Sequence, residues 1–295
     1  MHVDGRTVIV TGASSGIGRE TARDFASRRA HVVLASRSRD KLEALAAELA
    51  DLPGRRLVVP TDVTDRLAVE ALVRRTMEEF DRLDVMVNNA GVGLFAPIAG
   101  GSLDNMRHLF DVNFWGAIHC IQAAVPYMRR QGRGHIVNVS SVAGKVAVPY
   151  LGAYSATKFA LTAVSGALRS ELAGTGIHVS TVYPGLTQTS FQENILREVA
   201  VPDPPRSLRS VAPAAVARRI VQAVRWNLRD TYVTAGDFAA VAAYPLAPAL
   251  ADWGLRLFWL GSRPGAPAED TPAVDIEEPA EPSAADATEP PLELQ

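Results

Sequence analysis

Seven short apolar runs punctuate the chain: Thr7–Val10, His31–Ala35, Arg56–Val59, Val85–Asn88, His135–Ser140, His178–Val182 and Thr231–Thr234. They lack the in-out alternation of a strand with one wet face, so they read as strands buried on both sides. Between them lie helix-length stretches with apolar residues at helical spacing, among them Lys41–Ala50, Val69–Phe80, Val112–Met128 and Ala153–Leu172. Strand and helix in strict alternation predict an α/β protein, a doubly wound parallel sheet of about seven strands with helices on both faces. The expected strand order is 3-2-1-4-5-6-7. A closed eight-stranded barrel is the structural rival, but only seven runs are evident.

Charge and composition divide the chain further. Of 30 basic and 32 acidic residues, nine acids and no base fall between Pro264 and Gln295, leaving residues 1–263 at a formal +7. That last stretch is rich in Pro, Ala and Glu and is expected to be disordered. Residues 1–236 are expected to form the main folded domain, 237–263 an apolar extension, and 264–295 the acidic tail. Without clustered Lys/Arg runs the body is a poor match for nucleic acid, though it suits an anionic phosphate ligand. One cysteine, Cys120, excludes an internal disulfide, and the six histidines show no metal-ligand spacing. No signal-peptide pattern is evident at Met1–Gly5, so a cytoplasmic setting is expected.

The segment Thr11-Gly-Ala-Ser-Ser-Gly-Ile-Gly18 follows the first strand and opens a helix. Gly12 permits a tight turn, Gly16 lets backbone approach a pyrophosphate, and Gly18 lets the helix pack closely on the sheet. Ser14, Ser15 and Ile17 lie between them, where helix-start N–H groups face an anion. Downstream come Asn88-Asn89-Ala90-Gly91, Asn113, Ser141, and Tyr154 with Lys158. With these five ordered motifs the chain resembles the short-chain dehydrogenase/reductase family over roughly residues 5–236, which implies a Rossmann-type NADP-binding domain.

Tyr154 and Lys158 are four residues apart and share a helix face. Tyr154 is the candidate general acid/base; a nearby ammonium and a positive nicotinamide would lower its pKa from about 10. The resemblance implies that Lys158 also bonds the nicotinamide ribose. Ser141, at a strand's carboxyl end, is expected to polarise the carbonyl oxygen, with Ser140 as a structural neighbour. Asn113 matches the family asparagine that holds a water linking the lysine to solvent; alternatively it kinks or caps a helix, and the two roles are compatible.

Cofactor choice is read from the second strand's end. Ser36 stands where NAD-preferring members carry an acid, and Arg37 can make charge-assisted bonds to a 2′-phosphate, which points to NADP (NADPH). Arg39 and Lys41 read as exposed helix-start residues. By resemblance Asp62, with Val63 beside it, meets the adenine; a helix N-cap role for Asp62 or Thr64 is the competing reading. Asn88 and Ala90 are expected along the cofactor, with Asn89 and Gly91 in the same turn. By resemblance Pro184 and Gly185 form the turn under the nicotinamide, with Thr187 and Thr189 as candidates to contact its carboxamide or the pyrophosphate.

Val92–Phe95, Val142–Leu151 and the segment from Leu186 to about Ser210 are the expected substrate walls, the last a mobile lid. Leu94, Phe95, Val146, Val148, Tyr150 and Leu151 favour a small lipophilic ketone, aldehyde or alcohol. Pro245, Pro248, Asp252 and Arg256 interrupt the apolar stretch Phe238–Leu260. It could cover the pocket, form a subunit contact or lie on a membrane surface. The resemblance implies a homodimer or homotetramer. A cofactor-binding sensor or scaffold is the rival function, but it has no need of a complete Ser-Tyr-Lys set.

Overall fold

In the computed structural model, residues 1–188, 195–199 and 210–260 are described. The fold is an open sheet of seven parallel strands: β1 (Thr7–Thr11), β2 (His31–Ser36), β3 (Arg56–Pro60), β4 (Val85–Asn88), β6 (Gly134–Val139), β7 (Ile177–Tyr183) and β9 (Asp230–Tyr232). They lie in the order β3-β2-β1-β4-β6-β7-β9, which is 3-2-1-4-5-6-7 when sheet strands alone are counted. Open edges at β3 and β9 exclude the barrel. Every residue of β1, β4 and β6 is buried, as their unbroken apolar character requires.

Side-chain alternation sends β1 into two cores. Val8 and Val10 pack with Phe25, Leu42 and Ile220, from α1 (Gly16–Ser27), α2 (Arg39–Glu48) and α7 (Pro213–Trp226). Ile9 faces the other way, toward Leu72, Ile121 and Leu168, from α3 (Arg66–Phe80), α5 (Gly116–Gln131) and α6 (Gly152–Glu171). Three helices therefore cover each face.

Two features depart from the expected elements. The helix expected over Val112–Met128 is interrupted: α4 (Leu103–Phe110) runs through a wide π turn at Asp111–Trp115 into α5. In addition β5 (Gly93–Phe95) pairs in parallel with β8 (Ile195–Arg197), outside the main sheet, with Gly93 opposite Ile195. Leu94, expected on the substrate wall, is fully buried in a small core with Leu109 and Ala153. That pairing turns it inward.

After β9 come two short helices, α8 (Ala235–Ala243) and α9 (Pro248–Leu260). A bend of 117° separates them, and among the described residues no single helix is long and apolar enough to cross a membrane. The stretch Phe238–Leu260 is thus two helices, because Pro245 and Pro248 break it. The expected tail, residues 264–295, and most of the expected lid lie outside the described residues.

Candidate active site

The carboxyl ends of the central strands open onto a cleft of about 590 Å³. At its floor the chain leaves β1 and turns into α1. Gly12 and Gly16 adopt left-handed conformations with φ of 65° and 51°. A Cβ on Gly12 would lie 2.9 Å from Asn89 Nδ2, and one on Gly18 would lie 2.1 Å from the Gly12 carbonyl oxygen. Side chains are thus excluded, and the turn is a bare backbone cradle at a helix N-terminus. Gly18 itself sits behind the cradle, while Ser14, Ser15, Gly16 and Ile17 line the cleft.

Asn89 ties the end of β4 to this turn. Its backbone N–H donates to Thr11 Oγ1 at 3.0 Å and its side-chain amide donates to the Thr11 carbonyl at 2.9 Å. Asn89, Ala90 and Gly91 line the cleft. Asn88, expected along the cofactor, does not. It is buried, and its amide donates to Asn138 Oδ1 at 2.8 Å, with Asn138 in turn donating to Ser165. Strand alternation places Asn88 beneath the sheet end, where it fastens β4 to β6.

At the end of β2, Ser36 Oγ is buried with no hydrogen-bond partner among the described residues, and Ser36, Arg37, Ser38 and Lys41 all border the cleft. Arg39 is occupied by Glu43 at 3.4 Å, whereas Arg37 has no ionic partner among the described residues. An orphaned hydroxyl beside an uncompensated guanidinium fits a phosphorylated ribose. Asp62 and Val63 border the same end. Asp62 Oδ1 accepts bonds from the Thr64 backbone and hydroxyl at 2.9 and 2.8 Å, closing a turn. The cap of α3 is neither Asp62 nor Thr64 but Asp65, whose Oδ1 accepts from Leu67 and Ala68 N–H groups.

Tyr154 and Lys158 project from the first turns of α6 into the cleft. Lys158 is 4% exposed. Its Nζ donates to the Val139 carbonyl at 3.0 Å and sits 5.7 Å from the centre of the Tyr154 ring. Burial lowers the Lys158 ammonium to about 8. Burial also pushes the Tyr154 phenol up to about 12, against a side-chain hydrogen bond with Ser141 that lowers it. The protein's own groups therefore do not give Tyr154 the lowered pKa that the sequence suggests; desolvation outweighs them.

Ser141 opens the short helical turn Val142–Gly144 just past β6. Its Oγ accepts from the Ala143 N–H at 3.1 Å and donates to the Pro184 carbonyl at 3.3 Å. Ser140 Oγ turns toward α6, donating to the Lys158 carbonyl at 3.1 Å. The two neighbouring serines thus do different things: one reaches Tyr154, the other pins the lysine's helix.

Asn113 lies on the π turn and is buried behind the cleft. Its Oδ1 accepts from the Val92 N–H at 2.8 Å, and its Nδ2 donates to the Val92 carbonyl at 2.9 Å and to Thr157 Oγ1 at 3.2 Å. A Cβ on Gly91 would stand 3.1 Å from Asn113 Oδ1 and 3.6 Å from Lys158 Nζ. Asn113 thus fixes the backbone beside the lysine. Pro184, Gly185 and Thr187 line the cleft, with Thr187 Oγ1 donating to the Gly185 carbonyl at 3.1 Å. Thr189 lies outside the described residues.

Some lining residues were not foreseen. His108 on α4 borders the cleft, as does Lys41, which the sequence reads as an exposed helix-start residue; Ile195 and Leu196 on β8 border it too, within the wall expected from Leu186 to about Ser210. None belongs to a local motif: each enters through the placement of its element, and β8 arrives only by pairing across a hundred residues of chain.

Comparison with known proteins agrees with this geometry. The family model described as short chain dehydrogenase matches residues 6–200. A glycine betaine reductase of Emericella nidulans is 39% identical over 225 residues, 76% of this chain, although the chain spans only 18% of that protein. A dehydrogenase/reductase SDR family protein 7-like of Drosophila melanogaster is 32% identical over 263 residues, covering 85% of this chain and 80% of its own length. Among solved structures, a short-chain dehydrogenase/reductase from Burkholderia phymatum in complex with NAD superposes with a TM-score of 0.77 at 27% identity, over 85% of this chain and 96% of that one. An alcohol dehydrogenase from Thermococcus sibiricus complexed with 5-hydroxy-NADP gives 0.68 at 26% identity, over 77% and 94%. With the glycine cradle, the Ser-Tyr-Lys set and these matches together, the chain belongs to the short-chain dehydrogenase/reductase family of oxidoreductases.

Proposed function

We propose that this protein is an NADP(H)-dependent oxidoreductase that interconverts a lipophilic ketone or aldehyde and its alcohol, with Tyr154 as the general acid/base. The convergence of Ser141, Tyr154 and Lys158 in one cleft carries this reading. When bound, the nicotinamide supplies or accepts the hydride. Ser141 donates a hydrogen bond to the carbonyl oxygen and stabilises the charge that develops there. Tyr154 delivers a proton to that oxygen in reduction and removes it in oxidation. Its phenol, held near 12 by burial, is matched to neutral pH only once further positive charge enters the cleft. Lys158, held by the Val139 carbonyl, bonds the nicotinamide ribose and supplies charge beside the phenol. The π turn that carries Asn113 frees a backbone carbonyl that can seat a water serving the lysine.

The preference for NADP rests on the Ser36 hydroxyl and Arg37, neither of which has a partner among the described residues, and on the missing acid at the end of β2. Val92, Ile195 and Leu196 give the cleft an apolar side, which favours a lipophilic carbonyl over a sugar or charged acid. Paired fluorescence titrations with NADPH and NADH test the reading. Tight NADPH binding with NADH at least tenfold weaker supports it, and a screen of lipophilic carbonyls then follows. If neither cofactor binds, the assignment fails. A homodimer or homotetramer in the cytoplasm remains part of the proposal, with sedimentation velocity as its check.

A further inference from the structure

We propose that α8 and α9 form a hairpin that seats in one leaflet of a lipid bilayer, holding the mouth of the cleft at the membrane surface. No residue from Ala235 to Arg256 is buried, yet only Asp237, Asp252 and Arg256 are charged. Phe238, Leu246, Leu250 and Trp253 are 57%, 85%, 65% and 59% exposed. Such a surface is not left to water.

Three observations select lipid as the occupant. The apolar residues of α8 (Ala-Gly-Asp-Phe-Ala-Ala-Val-Ala-Ala) surround the helix rather than forming a stripe, and its one charge, Asp237, is consumed by a capping box with Thr234. A second protein covers one face of a helix, whereas acyl chains surround it. Helices of 9 and 13 residues reach roughly 14 and 20 Å, short of the ~30 Å of hydrocarbon. Bent by 117°, they enter and return rather than cross. Beyond α9 the chain continues into the stretch from Pro264 with nine carboxylates and no base. Carrying nine carboxylates through hydrocarbon is costly, so both ends of the hairpin are placed on the side of the catalytic domain.

The hairpin starts at the cleft. A Cβ on Gly185 would lie 2.2 Å from Asp237 Oδ1, and Phe238 packs edge-on against Tyr232 at 5.4 Å. Docking therefore presents the cleft to molecules dissolved in the bilayer; this second half of the inference rests on the oxidoreductase reading above, whereas docking itself does not.

The test is flotation of the full chain with phosphatidylcholine vesicles, with and without phosphatidylglycerol, beside a Leu246→Asp/Leu250→Asp/Trp253→Asp variant. NADPH titration, circular dichroism and sedimentation velocity are run on the same preparations. We expect the full chain to float with neutral vesicles, the variant to bind at least tenfold less, and 0.5 M salt to change neither. Anionic lipid should not strengthen binding, because Arg256 is the lone base in the pair. Failure of the full chain to float, or equal flotation of a folded variant, overturns the proposal. So does a variant that loses only self-association, which would assign the face to a second copy. Loss of NADPH binding alone would refute the cofactor reading and leave docking standing.

Discussion

Lys158 is held at the centre of the site against its own solvation, and removing it should stabilise the fold while ending catalysis. Burial lowers the ammonium from its ordinary 10.5 to about 8, which corresponds to roughly 3 kcal/mol at neutral pH. Against this stands the charge-assisted bond to the Val139 carbonyl at 3.0 Å, worth about 1.5–3 kcal/mol. Lys158→Met keeps the length of the side chain and removes the charge, so it should gain up to about 1.5 kcal/mol at pH 7, or at most roughly 3–6 °C in Tm for a chain of this size. The sign follows from linkage. Between about 8 and 10.5 the unfolded chain holds a proton that the folded lysine has lost, so wild-type stability rises with pH across that window relative to the variant. The difference should shrink toward zero by pH 10.5. Thermal unfolding of both proteins from pH 6.5 to 10.5, with turnover measured alongside, checks this. A variant less stable than wild type at pH 7, with a pH-independent difference, would refute the claim that the lysine is stored at a cost.

Three other substitutions probe separate parts of the site. Tyr154→Phe should lower turnover by a factor of about 10²–10⁴ with NADPH affinity nearly unchanged; stopped-flow turnover and cofactor fluorescence separate the two, and a rate near wild type would remove Tyr154 from the proton step. Ser36→Asp should move preference toward NADH, because a carboxylate would repel a 2′-phosphate and accept bonds from a ribose hydroxyl. An unchanged NADPH/NADH ratio in the paired titration would place discrimination elsewhere. Gly18→Ala forces a Cβ to within 2.1 Å of the Gly12 carbonyl oxygen, so the cradle must shift. It should weaken NADPH binding at least tenfold and lower Tm by several degrees, and unaltered affinity would contradict the close packing of the turn.

The main sheet was legible because its strands are continuous apolar runs, and only burial on both faces makes such runs stable. All seven expected strands fall within a few residues of their place, and their order follows the doubly wound pattern. The site was legible where it is local. Four-residue spacing puts Tyr154 and Lys158 on one helix face, and alternation past β6 separates Ser141 from Ser140. What was missed depends on long-range packing. Nothing near Leu94 announces that β5 meets β8, so its burial was read as a substrate wall. Asn88 looked like a cofactor residue because it shares a motif with Asn89, yet the pleat sends it beneath the sheet. His108 reaches the cleft only through the placement of α4.

Electrostatics mark the boundary most clearly. Sequence by itself determined that Tyr154 and Lys158 share a face at the cleft, because the helix period dictates the facing of residues four apart. It could not determine their pKa values, since those depend on how completely the surrounding elements exclude water. Tertiary structure decided that burial would hold the Tyr154 phenol near 12 and bring Lys158 to about 8. It also decided the state of the extension. The letters Phe238 to Leu260 are apolar in any context, but only the folded chain shows α8 starting against Gly185 and every side chain described through Arg256 at least partly exposed. Composition is a property of the chain, whereas solvation is a property of its packing.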